Sequence, residues 1–161
     1  MVMVEMDIVV SGERDKRLDA LMESVKAEFS AVFEEAFTKK ELALLKDTSI
    51  AWVVVKGFDE KIKSDEDREL TAGFYYEEAN RVEIVVQLRG NVSDRAIQHL
   101  IYHELLHIHK RFDDHKGRFY YYLERFPDSD KYVEEVDAFF DGLKVDYLNE
   151  RRRKGMNCRE S

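Results

Sequence analysis

An α+β fold is predicted for this chain: a small three- to four-stranded mixed or antiparallel sheet, a long N-terminal helix, a helix carrying an HExxH motif and a long C-terminal helix. Three observations predict it. Apolar residues recur at helical spacing through three long windows, 14–37, 93–110 and 130–153. Short runs rich in Val, Ile and aromatics, at 50–56, 70–76 and 82–88, have the length and composition of strands. The last two runs flank a polar five-residue turn at 77–81, which joins them as an antiparallel hairpin.

Taken in order, residues 1–10 alternate, with Val2, Val4, Met6, Ile8 and Val10 on one side, and read as a strand. From 14 to 37 the residues Leu18, Leu21, Met22, Val25, Phe29, Val32, Phe33 and Ala36 form one stripe of a single long amphipathic helix. Thr38 with Glu41 makes a capping box that opens a short helix through Lys46, and Asp47-Thr48-Ser49 ends it. The run 50–56 is a buried strand, and 57–69 is a charged loop too polar to pack. In the run 82–88, Val82, Ile84, Val86 and Leu88 share one face while Glu83, Val85 and Gln87 share the other. Gly90-Asn91 breaks that strand. Ser93 caps the next helix, which runs to about Lys110 with Ile97, Leu100, Ile101, Leu105 and Ile108 as its stripe. Asp113 or Asp114 caps a helix over about 115–125, stopped by Phe126-Pro127. A last helix over about 130–153 buries Val133, Val136, Phe139, Phe140, Leu143, Val145 and Leu148. A length of 161 residues predicts one domain over 1–161, with N-terminal strand and helices in 1–46, sheet in 50–88, helices in 93–153 and a tail in 154–161.

The composition narrows the function classes. A net charge of −8 argues against a broad nucleic-acid footprint, which needs clustered Lys and Arg. The one basic cluster, Arg151, Arg152, Arg153 and Lys154, reads first as a helix C-terminus complementing its dipole. Cys158, the single cysteine, rules out an internal disulfide and cannot form a zinc cluster by itself. A reducing interior fits best. No apolar run approaches a membrane span, and the apolar opening carries Glu5 and Asp7 without a basic leader, so it fails as a signal peptide. The expectation is a cytoplasmic protein without a membrane partner.

The segment His103-Glu104-Leu105-Leu106-His107 carries the chemistry. At about 100° per residue, positions i and i+4 lie on nearly one helix face, roughly 6 Å apart along the axis, so two neutral imidazoles grip one divalent cation from the same side. Glu104 points obliquely past the ion to where a water sits. That arrangement suits metal-activated hydrolysis with the glutamate as general base. With 5 His and 19 Glu in 161 residues, about 0.02 chance matches are expected. Chance is a poor explanation.

A catalytic zinc takes three protein ligands and a water, so a third ligand must come from beyond this helix. His109 lies about 200° round from His107 and faces away, as a surface residue. His99, one turn before His103, reads as structural, because a third ligand from the same helix gives poor tetrahedral geometry. His115 is better placed, because the intervening loop lets the chain turn back, and Phe119 one turn later anchors the new helix on the core.

At these residues the chain resembles compact zincin metallopeptidases, especially the SprT-like and phage-type minimal families, whose pattern is HELxH, a short gap, then a His followed by an aromatic. The matching segments are His103-Glu104-Leu105-Leu106-His107 and His115-Lys116-Gly117-Arg118-Phe119. The likeness covers roughly 71–123, and the N-terminal half has no counterpart. It implies Zn2+ as cofactor, His103, His107 and His115 as ligands, Glu104 as catalytic base, and a peptide or protein substrate held along the sheet-edge strand, read here as 82–88. The gluzincin branch of the superfamily implies instead a glutamate on the last helix, for which Glu134, with Asp137 three residues on rather than the usual four, is the matching residue. The third ligand therefore stands between His115 and Glu134.

Tyr102, Tyr120, Tyr121, Tyr122, Tyr132 and Arg118 are all chemically able to stabilise the oxyanion of such a reaction. The expected function is a zinc-dependent peptidase. A non-catalytic zinc-binding interaction or regulatory module is the alternative, and protein cleavage on DNA through the basic tail is a third idea.

Overall fold

The computed structural model describes residues 8–55, 72–109 and 117–158, with side chains described within 14–54, 72–109 and 117–143. Their order is β1 (Ile8–Glu13), α1 (Lys16–Glu28), α2 (Ser30–Ala36), α3 (Lys39–Asp47), β2 (Ser49–Val55), β3 (Gly73–Tyr76), β4 (Arg81–Val85), α4 (Asp94–Leu106), α5 (Arg118–Leu123) and α6 (Ser129–Cys158). The α+β class holds. Among the described residues the sheet has four strands in the order β1-β2-β4-β3. It is mixed, since β1 and β3 run antiparallel to their neighbours while β2 and β4 run parallel.

The caps read from the sequence at Thr38 and Ser93 are present, while Asp113 and Asp114 lie outside the described residues and α5 opens at Gly117 without a side-chain cap. Thr38 Oγ1 accepts the Glu41 N–H at 3.2 Å and the Glu41 carboxylate accepts the Thr38 N–H at 2.9 Å, so each otherwise orphaned N–H is satisfied by the other residue's side chain. Ser93 Oγ accepts the Ala96 N–H at 3.1 Å and fixes the start of α4. The β3–β4 hairpin forms as expected. Asn80 closes its turn at φ 49, a left-handed conformation that Asn tolerates. The Asn80 side-chain Oδ1 accepts from Tyr75 Oη at 2.7 Å and Thr48 Oγ1 at 2.9 Å, so the turn is tied to the end of α3.

Several expectations are corrected. The helix predicted over 14–37 is two helices, because the backbone leaves the α conformation at Phe29 (φ −107, ψ 20). The apolar stripe hides this break, since Phe29 stays buried, with its ring centre 4.3 Å from Tyr102 and 5.2 Å from Phe126. The strand predicted over 82–88 stops at Val85, and Val86–Leu88 forms a 3-10 turn that buries Leu88. That strand, β4, is interior, paired on both sides, so among the described residues the edge position expected of it belongs to β3. The first strand is described over Ile8–Glu13, past the expected end at Val10; its expected start at 1–7 lies outside the described residues, as does the loop 57–69. The helix expected to reach Lys110 ends at Leu106, and the one expected over 115–125 is Arg118–Leu123. Val133, expected in the core, is exposed on α6.

The buried apolar side chains form one cluster, drawn from α1 to α6, β2 and β4. Helices α1 and α4 pack on each other and over the sheet, with α4 crossing β3 and β4. Among the described residues, no helix is long and apolar enough to cross a membrane.

Candidate metal centre

Helix α4 is buried on most of its circumference. Ile97, Ile101 and Leu105 enter the core, Tyr102 donates its hydroxyl to the Tyr122 carbonyl, and Ser93 at the cap is held by Glu135 of α6 at 2.5 and 2.9 Å. His103 and His107 fall on the partly open strip that remains. His107 is the residue that ends the helix, but at φ −70, ψ −6 it keeps a near-helical backbone, so its four-residue phase to His103 survives.

The two imidazoles are neighbours, their ring centres 5.2 Å apart and their planes at 56°. Phe119 of α5 closes over both. It stacks on His107 at 5.0 Å and meets His103 edge-on at 5.0 Å, and it is itself fully buried. The expected anchoring role of Phe119 is therefore seen. Gly117 starts α5 at φ +52, a conformation that a side chain would strain.

Glu104 is buried beside this pair, its Oε2 3.9 Å from His103 Nε2. Burial pushes its carboxyl up to about 8, opposed by one hydrogen bond from the main-chain N–H of Tyr75 on β3. Gly73, two residues earlier, lies directly over the glutamate stem: a Cβ there would stand 3.7 Å from Glu104 Cγ. Gly73 and Tyr75 belong to the site and were not singled out in the sequence. A glycine opening an aromatic strand was the available signal, since such glycines mark a close approach.

His115 lies outside the described residues. Glu134 is exposed on α6 and is not brought to the pair. Ser129 of α6 meets His99 while Glu135 meets Ser93. The helix therefore advances toward the start of α4, and Glu134 sits about 13 Å along the axis from His103. Among the described residues, no group of three or more His, Cys, Asp or Glu gathers to hold a metal ion.

The remaining candidates sort by their contacts. His109 is half-buried rather than a surface residue, its Nδ1 2.8 Å from Glu41 Oε1 on α3, and it faces away from the pair as expected. Tyr122 donates to Glu35 at 3.1 Å and accepts from Arg118 at 3.0 Å, which commits both. Tyr121 accepts from Arg125 at 2.6 Å, and Tyr132 lies by His99 and Phe126. Tyr120 is half exposed, with its ring 5.5 Å from Phe119.

His99 is structural, as its position in the sequence suggested. It is buried, 2.7 Å from Ser129 Oγ and edge-on to Phe126, and burial lowers its pKa from 6.5 to about 4. Between those two values the unfolded chain binds the extra proton, so stability is lost as pH falls through that window. The expected loss is about 3 kcal/mol by pH 4. Urea unfolding at neutral pH and near pH 4.5 measures it, and a His99→Gln variant that kept the full acid slope would contradict the assignment.

No family model matches the chain, and no curated protein or solved structure matches it either.

Proposed function

We propose that this protein is a zinc-dependent metallopeptidase, with His103 and His107 as two ligands, His115 as the third and Glu104 as general base. One observation carries the reading. A tetrahedral ion about 2.1 Å from one nitrogen of each ring sets the ring centres about 5 Å apart, and the imidazoles stand 5.2 Å apart. The face of Phe119 against His107 leaves the in-plane lone pairs, which are the ones that bind metals, in the ring's own plane. The resemblance of 71–123 to SprT-like and phage-type minimal metallopeptidases supports the same reading.

Zinc bound there would lower the pKa of a water and polarise a substrate carbonyl. Glu104, whose carboxyl lies 3.9 Å from His103 Nε2, takes the proton of the attacking water and delivers it to the leaving amide nitrogen. Burial holds that carboxyl high, and a dication held by the neighbouring imidazoles would favour the ionised form that accepts a proton. Tyr120, beside Phe119, is the oxyanion donor that the other contacts leave for the role. The substrate is a peptide or protein, and a reducing cytoplasmic setting suits a chain with the lone Cys158.

The burial of Glu104 under β3 favours a second reading, a non-catalytic zinc-binding module. Metal removal separates the two. The purified chain should carry about one zinc and cleave an unfolded protein, lose the cleavage to a chelator and regain it on adding Zn2+. Cleavage indifferent to the chelator would overturn the proposal, and zinc without any cleavage would favour the module.

A further inference from the structure

The outer strand β3 has a fixed parity. The Val85 N–H donates to the Ala72 carbonyl at 3.0 Å, and Gly73 stands opposite Ile84 and Tyr75 opposite Val82. Ladder bonds alternate in an antiparallel pair, so Phe74 and Tyr76 bond toward β4 while the N–H and C=O of Gly73 and Tyr75 turn outward. An outward N–H on an outer strand ordinarily meets water. That of Tyr75 donates to the Glu104 carboxyl instead.

The room for this contact comes from Gly73. A Cβ there would stand 3.0 Å from the Glu83 carbonyl oxygen, 3.0 Å from Ile84 Cδ1 and 3.7 Å from Glu104 Cγ, so a side chain would press into the space between strand and glutamate. The strand segment is itself held: Tyr75 Oη donates to Asn80 at 2.7 Å, and the ring packs on the core. A glutamate has three side-chain torsions, and an exposed one samples many rotamers. Glu104 is tethered to a backbone group whose position the sheet fixes.

We propose that β3 is the positioning element for Glu104, with the Tyr75 N–H fixing the direction of its carboxylate and Gly73 leaving the space in which it lies. The inference rests on the hydrolase reading for its chemistry, and adds that the base is aimed by a main-chain donor 29 residues away. Tyr75 acts through Glu104, as a positioning residue. A side chain's orienter is commonly another side chain, whose own rotamer must be held. A ladder-fixed N–H needs no such support.

Two measurements test it. The first is hydrogen exchange of the Tyr75 amide by NMR, in wild type and in Glu104→Ala. Exchange in wild type should be at least tenfold slower than in the variant, while the Phe74 amide, turned into the ladder, keeps its rate in both. Equal Tyr75 rates would overturn the proposal without reference to activity. The second compares Tyr75→Pro with Tyr75→Ala. Both delete the phenol ring, but only proline removes the N–H, at a position where the ladder does not use it. With zinc content equal, kcat of Tyr75→Pro should fall at least tenfold below that of Tyr75→Ala while KM stays within twofold; equal kcat values would overturn the proposal. A wild type that cleaves nothing overturns the hydrolase reading and takes the catalytic part of this one with it. An unprotected Tyr75 amide in an active wild type overturns this one alone.

Discussion

Glu104→Gln should abolish peptide cleavage while leaving zinc at about one per chain. The amide keeps the volume and the acceptor oxygen that receives the Tyr75 N–H, so the side chain keeps its place beneath β3. It cannot accept the proton of an attacking water. General-base catalysis typically contributes about 10²- to 10⁴-fold, and a loss of that size in kcat with little change in KM is expected. Stability should not suffer. Glu104 is 8% exposed, and a neutral amide at that site avoids burying a charge. The melting temperature of the metal-free variant should therefore equal or exceed that of the wild type. A variant that retained more than about a tenth of wild-type kcat would remove Glu104 from the reaction.

Phe119→Ala should be the most destabilising single change near the site. The ring is fully buried and packs on both imidazoles, each at 5.0 Å, as well as on the core under α5. Truncating a buried phenylalanine costs about 3–5 kcal/mol. For a chain of this length that corresponds to a fall in Tm of roughly 10 °C. The effect should extend to metal. Without Phe119 the two rings lose the surface that orients them, and α5, which begins only three residues after His115, loses its anchor. Zinc affinity should fall at least about tenfold, the range seen when groups that orient metal ligands are removed. Calorimetry and competitive chelation read the two effects separately. Unchanged affinity in a folded Phe119→Ala protein would mean that the ring packs beside the imidazoles without orienting them.

What the sequence made legible was local. The Thr38–Glu41 box and the Ser93 cap satisfy helix ends with groups three residues away, so spacing alone reveals them. The hairpin was legible because its strands are neighbours in the chain, and the imidazole pair because helix periodicity carries it. What was lost depends on distant contacts. Phe29 breaks its helix yet stays in the apolar stripe, because its ring fits between Tyr102 and Phe126, more than seventy residues on. Alternation continues through Val86 and Leu88 although the backbone there turns, since Leu88 is buried by either conformation. Strand order is likewise not written in β4: its apolar residues suit an edge or an interior strand, and only the parallel pairing with β2 decides. Glu83 shares a strand face with Val85 and Gln87, and nothing in that spacing shows that it is buried with its carboxylate 2.8 Å from Arg81. The same limit hid the hydrogen bond from Tyr75 to Glu104, which joins an outer strand to a helix across 29 positions.

A crystal of the zinc-loaded protein, measured at the zinc absorption edge, tests the shared-ion claim most directly. One anomalous peak is expected between the imidazoles of His103 and His107, about 2.1 Å from a nitrogen of each, with Glu104 alongside and a third protein ligand from 110–116. A peak elsewhere, or two rings whose nitrogens point to different surroundings in fully zinc-loaded crystals, would contradict it.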